Sequence, residues 1–203
     1  IMAQIPSSTA VGFRVFGHNL HGSNPSNNAT VAQVRKVVKK NGKYMAVTQN
    51  FIGNTTGYCS STRQVAQVTR NNTASIQSGM NSVDIGGATP LVYGLDRAIY
   101  QDFANISRNT PKKVVLITDG GENCGGDPCA FAKQLMSSRQ DVHIDVVLVG
   151  SSSSKLSCLA TTTGGKFYTV KNLSNFSTVI QQSMTTPSSA VQQQNQQYYE
   201  FIK

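Results

Sequence analysis

The sequence predicts an α/β fold: a doubly wound, mostly parallel sheet with helices on both faces. Three observations carry this expectation. Val114–Ile117 (VVLI) and Val142–Val149 (VHIDVVLV) lack the strict polar alternation of a strand that faces water, so both are expected to be covered on both sides. Segments with helical spacing fall between the strands rather than in a block of their own. Crossovers of that length are right-handed and lay helices on the two faces of a sheet.

The elements follow in order. Ala10–Phe16 (AVGFRVF), bounded by Ser/Thr and Gly17, is expected to be a buried strand. Residues 18–58 form a long excursion, rich in Gly, Asn, Ser and Thr at both ends. Inside it, Thr30–Lys40 fits a strand or a helix and Tyr44–Ile52 alternates like a strand, which leaves room for a hairpin. Thr62–Val68 is expected as an edge strand and Thr73–Met80 as a short helix. Thr89 stands where a cap would, before Pro90 and a face of Leu91, Leu95, Ala98 and Ile99. Asp127 caps the next helix, with Pro128 first and Phe131, Leu135 and Met136 inside. Ser153 or Ser154 opens a helix that stops at Gly164; Lys166–Val170 is a strand, and Phe176–Met184 a closing helix. The remainder, residues 185–203, is a Gln-rich arm ending in Tyr198, Tyr199, Phe201 and Ile202. It is either a linker or a segment whose aromatic end docks on another subunit. Ligands of such sheets bind beyond the carboxyl ends of the strands, here Gly17-His18, Asp119-Gly120-Gly121 and Gly150-Ser151.

Composition narrows the chemistry. The net charge is +9 with only 13% charged residues, and the basic run Arg35–Lys43 is expected to be a solvated face. It comes without a zinc finger, an aromatic RNA-binding signature or a helix-turn-helix, so no nucleic acid is expected as partner. No stretch of 18 apolar residues exists to span a bilayer. Four cysteines in polar surroundings favour two disulfides and an oxidising compartment over zinc; the three pairings stay open at this level. Six N-x-S/T sequons, from Asn28 to Asn175, agree with export. There is no GxSxG, no GxxxxGK[ST] and no GxGxxG after the first strand, so no enzyme is expected. His143 sits in a buried strand pattern and is expected in the core.

Gly12–His18 (GFRVFGH), Gly86–Ala98 (GGATPLVYGLDRA), Val114–Cys129 (VVLITDGGENCGGDPC), Asp145–Gly150 (DVVLVG) and Cys158–Tyr168 together resemble a von Willebrand factor type A domain of a bacterial, secreted branch. The resemblance covers most of residues 8–184, so residues 1–184 are expected to be the domain, with 18–58 as an inserted excursion. It implies a Rossmann-like sandwich and a metal-ion-dependent adhesion site made of a DxSxS loop, a Thr and an Asp. The Thr role falls on Thr89 and the Asp role on Asp119, hard oxygen donors of the kind Mg²⁺ accepts. No DxSxS occurs in the 203 residues, and Ile1–Pro6 resembles the end of the family's first helix. The family's first central strand and its loop are therefore expected either upstream of Ile1, in a chain that is processed, trimmed or partial, or from another chain that donates a strand. Without that strand a gap is expected beside Val11–Phe16 and Val114–Thr118. The same map sets Cys124, Cys129 and Cys158 above the carboxyl edge, with Cys59 entering from that side. It implies the pairs Cys59–Cys124 and Cys129–Cys158.

The expected function is an extracellular or surface-displayed adhesion or assembly module that meets a protein or glycan at the upper loops, with or without Mg²⁺. The alternative is a structural subunit of an extracellular filament or pilus, to which the incomplete sheet and the arm, with its Tyr198, Tyr199 and Phe201, would lend themselves.

Overall fold

The structure, a computed structural model, describes residues 5–20, 31–41, 43–52, 59, 61–85, 88–150 and 155–186. In chain order the strands are β1 (Val11–Phe16), β2 (His18–Leu20), β3 (Val31–Lys40), β4 (Lys43–Ile52), β5 (Thr62–Thr69), β6 (Val83–Ile85), β7 (Lys112–Thr118), β8 (Val142–Val149) and β9 (Phe167–Val170). The helices are α1 (Thr73–Asn81), α2 (Leu91–Arg97), α3 (Pro128–Ser138), α4 (Ser157–Thr163) and α5 (Phe176–Thr185).

β8 is the centre of a parallel trio in the order β7-β8-β9. Its residues from Val142 to Leu148 are all buried, as the missing alternation requires. Successive side chains serve opposite faces. Ile144 and Val146 join Leu91, Leu95 and Ile99 of α2, Phe131 and Leu135 of α3 and Leu159 of α4; Val147 joins Val170 and Ile180 of α5 on the other face. Helices thus cover both faces, and the architecture is α/β and Rossmann-like. α3 starts where Asp127 accepts a hydrogen bond from Ala130 N at 2.9 Å, with Pro128 behind it. α4 stops at Gly164, whose φ of 71° is the left-handed cap a side chain resists.

The second half is antiparallel: among the described residues β1 pairs only with β5. Arg14 fixes it to the turn after α2, with Nε 2.7 Å and Nη2 2.6 Å from the two oxygens of Asp102, a bidentate pair shielded from water. Among the described residues no strand bridges the lane between the two halves. β1 and β7 each have one edge without a strand partner among the described residues. The burial record agrees: no residue of β1 is fully buried although the strand reads VGFRVF, and Ile117 on β7 is 38% exposed. α2 spans the two halves, because it packs against β1 while Leu91, Leu95 and Ile99 enter the core of β7 and β8. Among the described residues no strand pairs with either edge expected to border a gap, beside Val11–Phe16 or beside Val114–Thr118.

Three expectations change. Thr89 does not cap α2: Pro90 holds the cap position, and no side chain of that position makes a cap hydrogen bond. α4 opens at Ser157; Ser153 and Ser154 lie outside the described residues. Within Thr30–Lys40, readable as either type, Val31–Lys40 is a strand paired with β4, and Asn41 just after it takes φ 51°.

At the amino end of the sheet one carboxylate holds three elements. Asp141 accepts from Lys112 Nζ at 2.8 Å and from Arg139 Nε and Nη2 at 2.8 and 2.9 Å, while Arg139 Nη1 reaches Ile99 O at 3.1 Å. The hydrogen bonds from Arg139, helped by Lys112 and opposed by burial, hold its carboxyl well below the usual carboxylate range. A lowered carboxyl pKa stabilises the fold in full above about pH 4, and this contribution drains away as the pH falls toward the lowered value. Asp141→Asn is therefore expected to cost about 3 kcal/mol in urea unfolding at pH 7. It is also expected to flatten the acid limb below about pH 4. A variant as stable as the parent at pH 7 contradicts this role.

Candidate functional site

Three loops meet above the carboxyl ends of β1 and β7. Gly17 ends β1 at φ 61°, and a Cβ there would lie 1.9 Å from Ala88 O, so the 88–90 loop presses directly on the strand end. Beyond it β2 and β6 make a short antiparallel ladder from His18 opposite Ile85 to Leu20 opposite Val83. His18 Nδ1 lies 3.3 Å from Ser61 Oγ, which donates to His18 O at 2.8 Å. Burial first, and the charge of Arg63 second, keep this imidazole's pKa below its ordinary value.

The loop after β7 turns at an exposed Asp119, where Thr118 Oγ1 donates to Gly120 O at 2.9 Å. It then reaches across to the 88–92 segment. Asn123 Oδ1 accepts from Thr89 N at 2.6 Å, and Asn123 N donates to Thr89 O at 3.3 Å. Glu122 Oε2 accepts from Val92 N at 2.8 Å and Oε1 from Cys124 N at 2.6 Å. Val92 N is one of the first amides of α2, which have no partner inside the helix; a carboxylate there satisfies it and faces the positive end of the helix. The cap of α2 thus comes from 30 residues downstream. Thr89 and Asp119 belong to two loops clamped together by Asn123 and Glu122.

Disulfides staple the same end. Cys59 joins Cys124 with Cα atoms 5.5 Å apart, and Cys129 joins Cys158 at 5.4 Å. The first binds the end of the excursion to the Glu122–Cys124 loop, and the second binds the first turns of α3 and α4. Loops of 65 and 29 residues correspond to about 4 kcal/mol each in the chain-entropy picture. Tyr198, Tyr199 and Phe201 lie outside the described residues.

As a cation site the donors at hand are incomplete. They are one hydroxyl and one carboxylate, and among the described residues no group of three His, Cys, Asp or Glu side chains converges. Mg²⁺ needs an octahedron of oxygens, and the chain contains no DxSxS to supply more. These residues alone do not fit a resident metal.

Sequence reasoning missed Glu122 and Asn123. Their partners lie some 30 residues away, and neither belongs to a local motif. Substitution separates their role from that of their neighbour. Glu122→Ala leaves Val92 N and Cys124 N without their acceptor and is expected to lower unfolding free energy by about 2 kcal/mol. Asp119→Ala, on an exposed turn, is expected to stay within about 0.5 kcal/mol of the parent. Equal effects in denaturant titrations would contradict the clamp.

Comparison with known proteins agrees with this architecture. The sequence model of the von Willebrand factor type A domain matches residues 20–182. The uncharacterized protein YwmC of Bacillus subtilis (strain 168) is 31% identical over 115 residues, 54% of this chain; the chain spans 48% of that relative's length. Proximal thread matrix protein 1 from the mussel byssus is similar at a TM-score of 0.48 and 23% identity, over 61% of this chain and 31% of that one. The SpRpn10 VWA domain is similar at a TM-score of 0.45 and 15% identity, over 54% of this chain and 59% of that one. Domains of this kind commonly mediate protein interactions, often carry a metal-ion-dependent adhesion site and are mostly not enzymes. The extent of the family match, together with the parallel trio and the loops above it, establishes that this chain belongs to the von Willebrand factor type A domain family.

Proposed function

We propose that this chain is an extracellular adhesion or assembly module whose partner, a protein or a glycan, is met at the stapled rim around Thr89 and Asp119. The single observation that carries the reading is the cross-bracing of that rim. Two disulfides, the Asn123–Thr89 pair and the Glu122 cap hold loops from four parts of the chain in one arrangement. A contact surface fixed in advance loses less freedom on binding, so more of the contact energy appears as affinity. Disulfides also suit an extracellular setting, and among the described residues no helix is long and apolar enough to cross a membrane.

The open lane gives the cation its place in this reading. A strand from outside the described residues, whether from the same polypeptide, from a second copy or from another chain, enters between β1 and β7 and brings oxygen donors to the rim. Thr89 and Asp119 would add their oxygens to those donors, and a divalent cation held there would supply positive charge for an acidic group of the partner. A filament or pilus subunit is the alternative, favoured by the same lane, since a strand taken from a neighbour links copies in a row.

The two readings separate in one experiment. The chain is applied to arrayed extracellular-matrix proteins and glycans in MgCl₂ and in EDTA, beside its sedimentation in both buffers. The adhesion reading expects a monomer whose capture falls at least tenfold in EDTA and in Thr89→Ala/Asp119→Ala. Assembly in both buffers, weakened by deletion of residues 186–203, rejects it in favour of the filament subunit.

A further inference from the structure

The charge of the molecule is divided along the chain. Residues 1–83 hold eight Lys and Arg and not one Asp or Glu; residues 84–203 hold ten Lys and Arg and all nine carboxylates. The surplus is thus almost wholly in the first part. Five of those eight cations, Arg35, Lys36, Lys39, Lys40 and Lys43, fall in the ribbon of β3 and β4. The ribbon's register sets Lys40 opposite Lys43, and Lys39 one rung below, opposite Tyr44. Lys43 and Asn41 are exposed. The five positions span about 17 Å of strand.

Like charges directly opposite each other weaken a ribbon, and nothing in the local sequence offsets them. The nearest carboxylate in sequence is Asp84. Among the described residues five of the other carboxylates have work elsewhere, and Asp119 stands on the exposed rim. Asp102 holds Arg14, Asp141 holds Lys112 and Arg139, Asp145 faces Lys113, Asp127 caps α3 and Glu122 caps α2. The ribbon packs on α3, and its first strand also on α2, so it is anchored to the domain. An anchored rod of unbalanced positive charge attracts a polyanion, whose charges remove the repulsion between the rungs.

We infer that the β3–β4 ribbon is a docking surface for an anionic polysaccharide, a sulfated or uronate-bearing glycan, through Arg35, Lys36, Lys39, Lys40 and Lys43. This surface is distinct from the Thr89–Asp119 rim and needs neither a cation nor a strand in the lane. Two features favour a glycan among polyanions. No aromatic residue is interleaved from Arg35 to Lys43, and Tyr44, opposite Lys39, is a single ring rather than the succession on which bases of a single strand stack. The two disulfides belong to a compartment in which acidic glycans, rather than nucleic acids, are the abundant polyanions.

The test uses the full 203-residue chain on immobilised heparin at 0.15 M NaCl, in EDTA throughout. Retention is expected, with affinity falling steeply as salt rises. Lys39→Gln/Lys40→Gln/Lys43→Gln is expected to bind about tenfold or more weakly. Lys133→Gln/Lys166→Gln/Lys171→Gln, which removes the same charge from exposed sites on the other part of the chain, is expected to bind within twofold of the parent. Circular dichroism of both variants checks that each is folded; if the ribbon triple is not, Lys43→Glu alone replaces it, with the same direction of effect. Failure of the parent to bind, or equal losses in both triples, overturns the inference. Equal or tighter binding to phosphatidylserine vesicles or to duplex DNA overturns the assignment to glycan. Because EDTA is present, loss of the rim function leaves this result untouched.

Discussion

Peptide groups in an apolar interior must find hydrogen-bond partners, and the shape of this domain follows from where they do. β8 is satisfied on both sides and is buried along almost its whole length. Among the described residues β1 and β7 find a strand partner on one side each. Apolar β1 stays half-exposed, and Ile117 stands open, for the same reason: the neighbour that would cover them is not among the described residues. α2 keeps the halves in register, with one face toward β1 and its leucines in the core beside β8. In the function proposed above, a strand entering where the lane meets the rim changes what the upper loops can hold.

The rim itself is rigid for reasons that do not depend on the lane. Its loops are tied by side chains that reach across the chain, and by covalent bonds that span 65 and 29 residues. Glu122 gives α2 the acceptor that its own cap position lacks. The amino end is fixed separately by Asp141, Lys112 and Arg139. The domain is therefore braced at both poles, while among the described residues no strand joins its two halves.

Much of this was legible in the residues. Val142–Val149 announces a doubly covered strand through its lack of alternation, and Asp127-Pro128 announces the start of α3 through its own chemistry. The gap between strands was legible only through the family resemblance, since no local pattern says that a neighbour is missing. What escaped was set by distance. The ladder of β2 and β6 is three residues long on each side, too short for any period to register. The cap of α2 was assigned to Thr89 by proximity, whereas the acceptor comes from Glu122, on a different loop. For Thr30–Lys40, runs of valine and lysine suited two periods equally; the pairing with β4 decided for the strand.

Amide hydrogen exchange resolved to single residues measures the lane most directly. In the 203-residue chain alone, the amides of Val142–Leu148 are predicted to exchange near the rate of global unfolding. Those amides of Val11–Phe16 and Lys112–Thr118 that do not point toward β5 or β8 are predicted to exchange orders of magnitude faster. Uniform slow exchange on both sides of β1 and β7 would mean that the two strands already have partners on every edge, and would contradict a sheet divided into two halves.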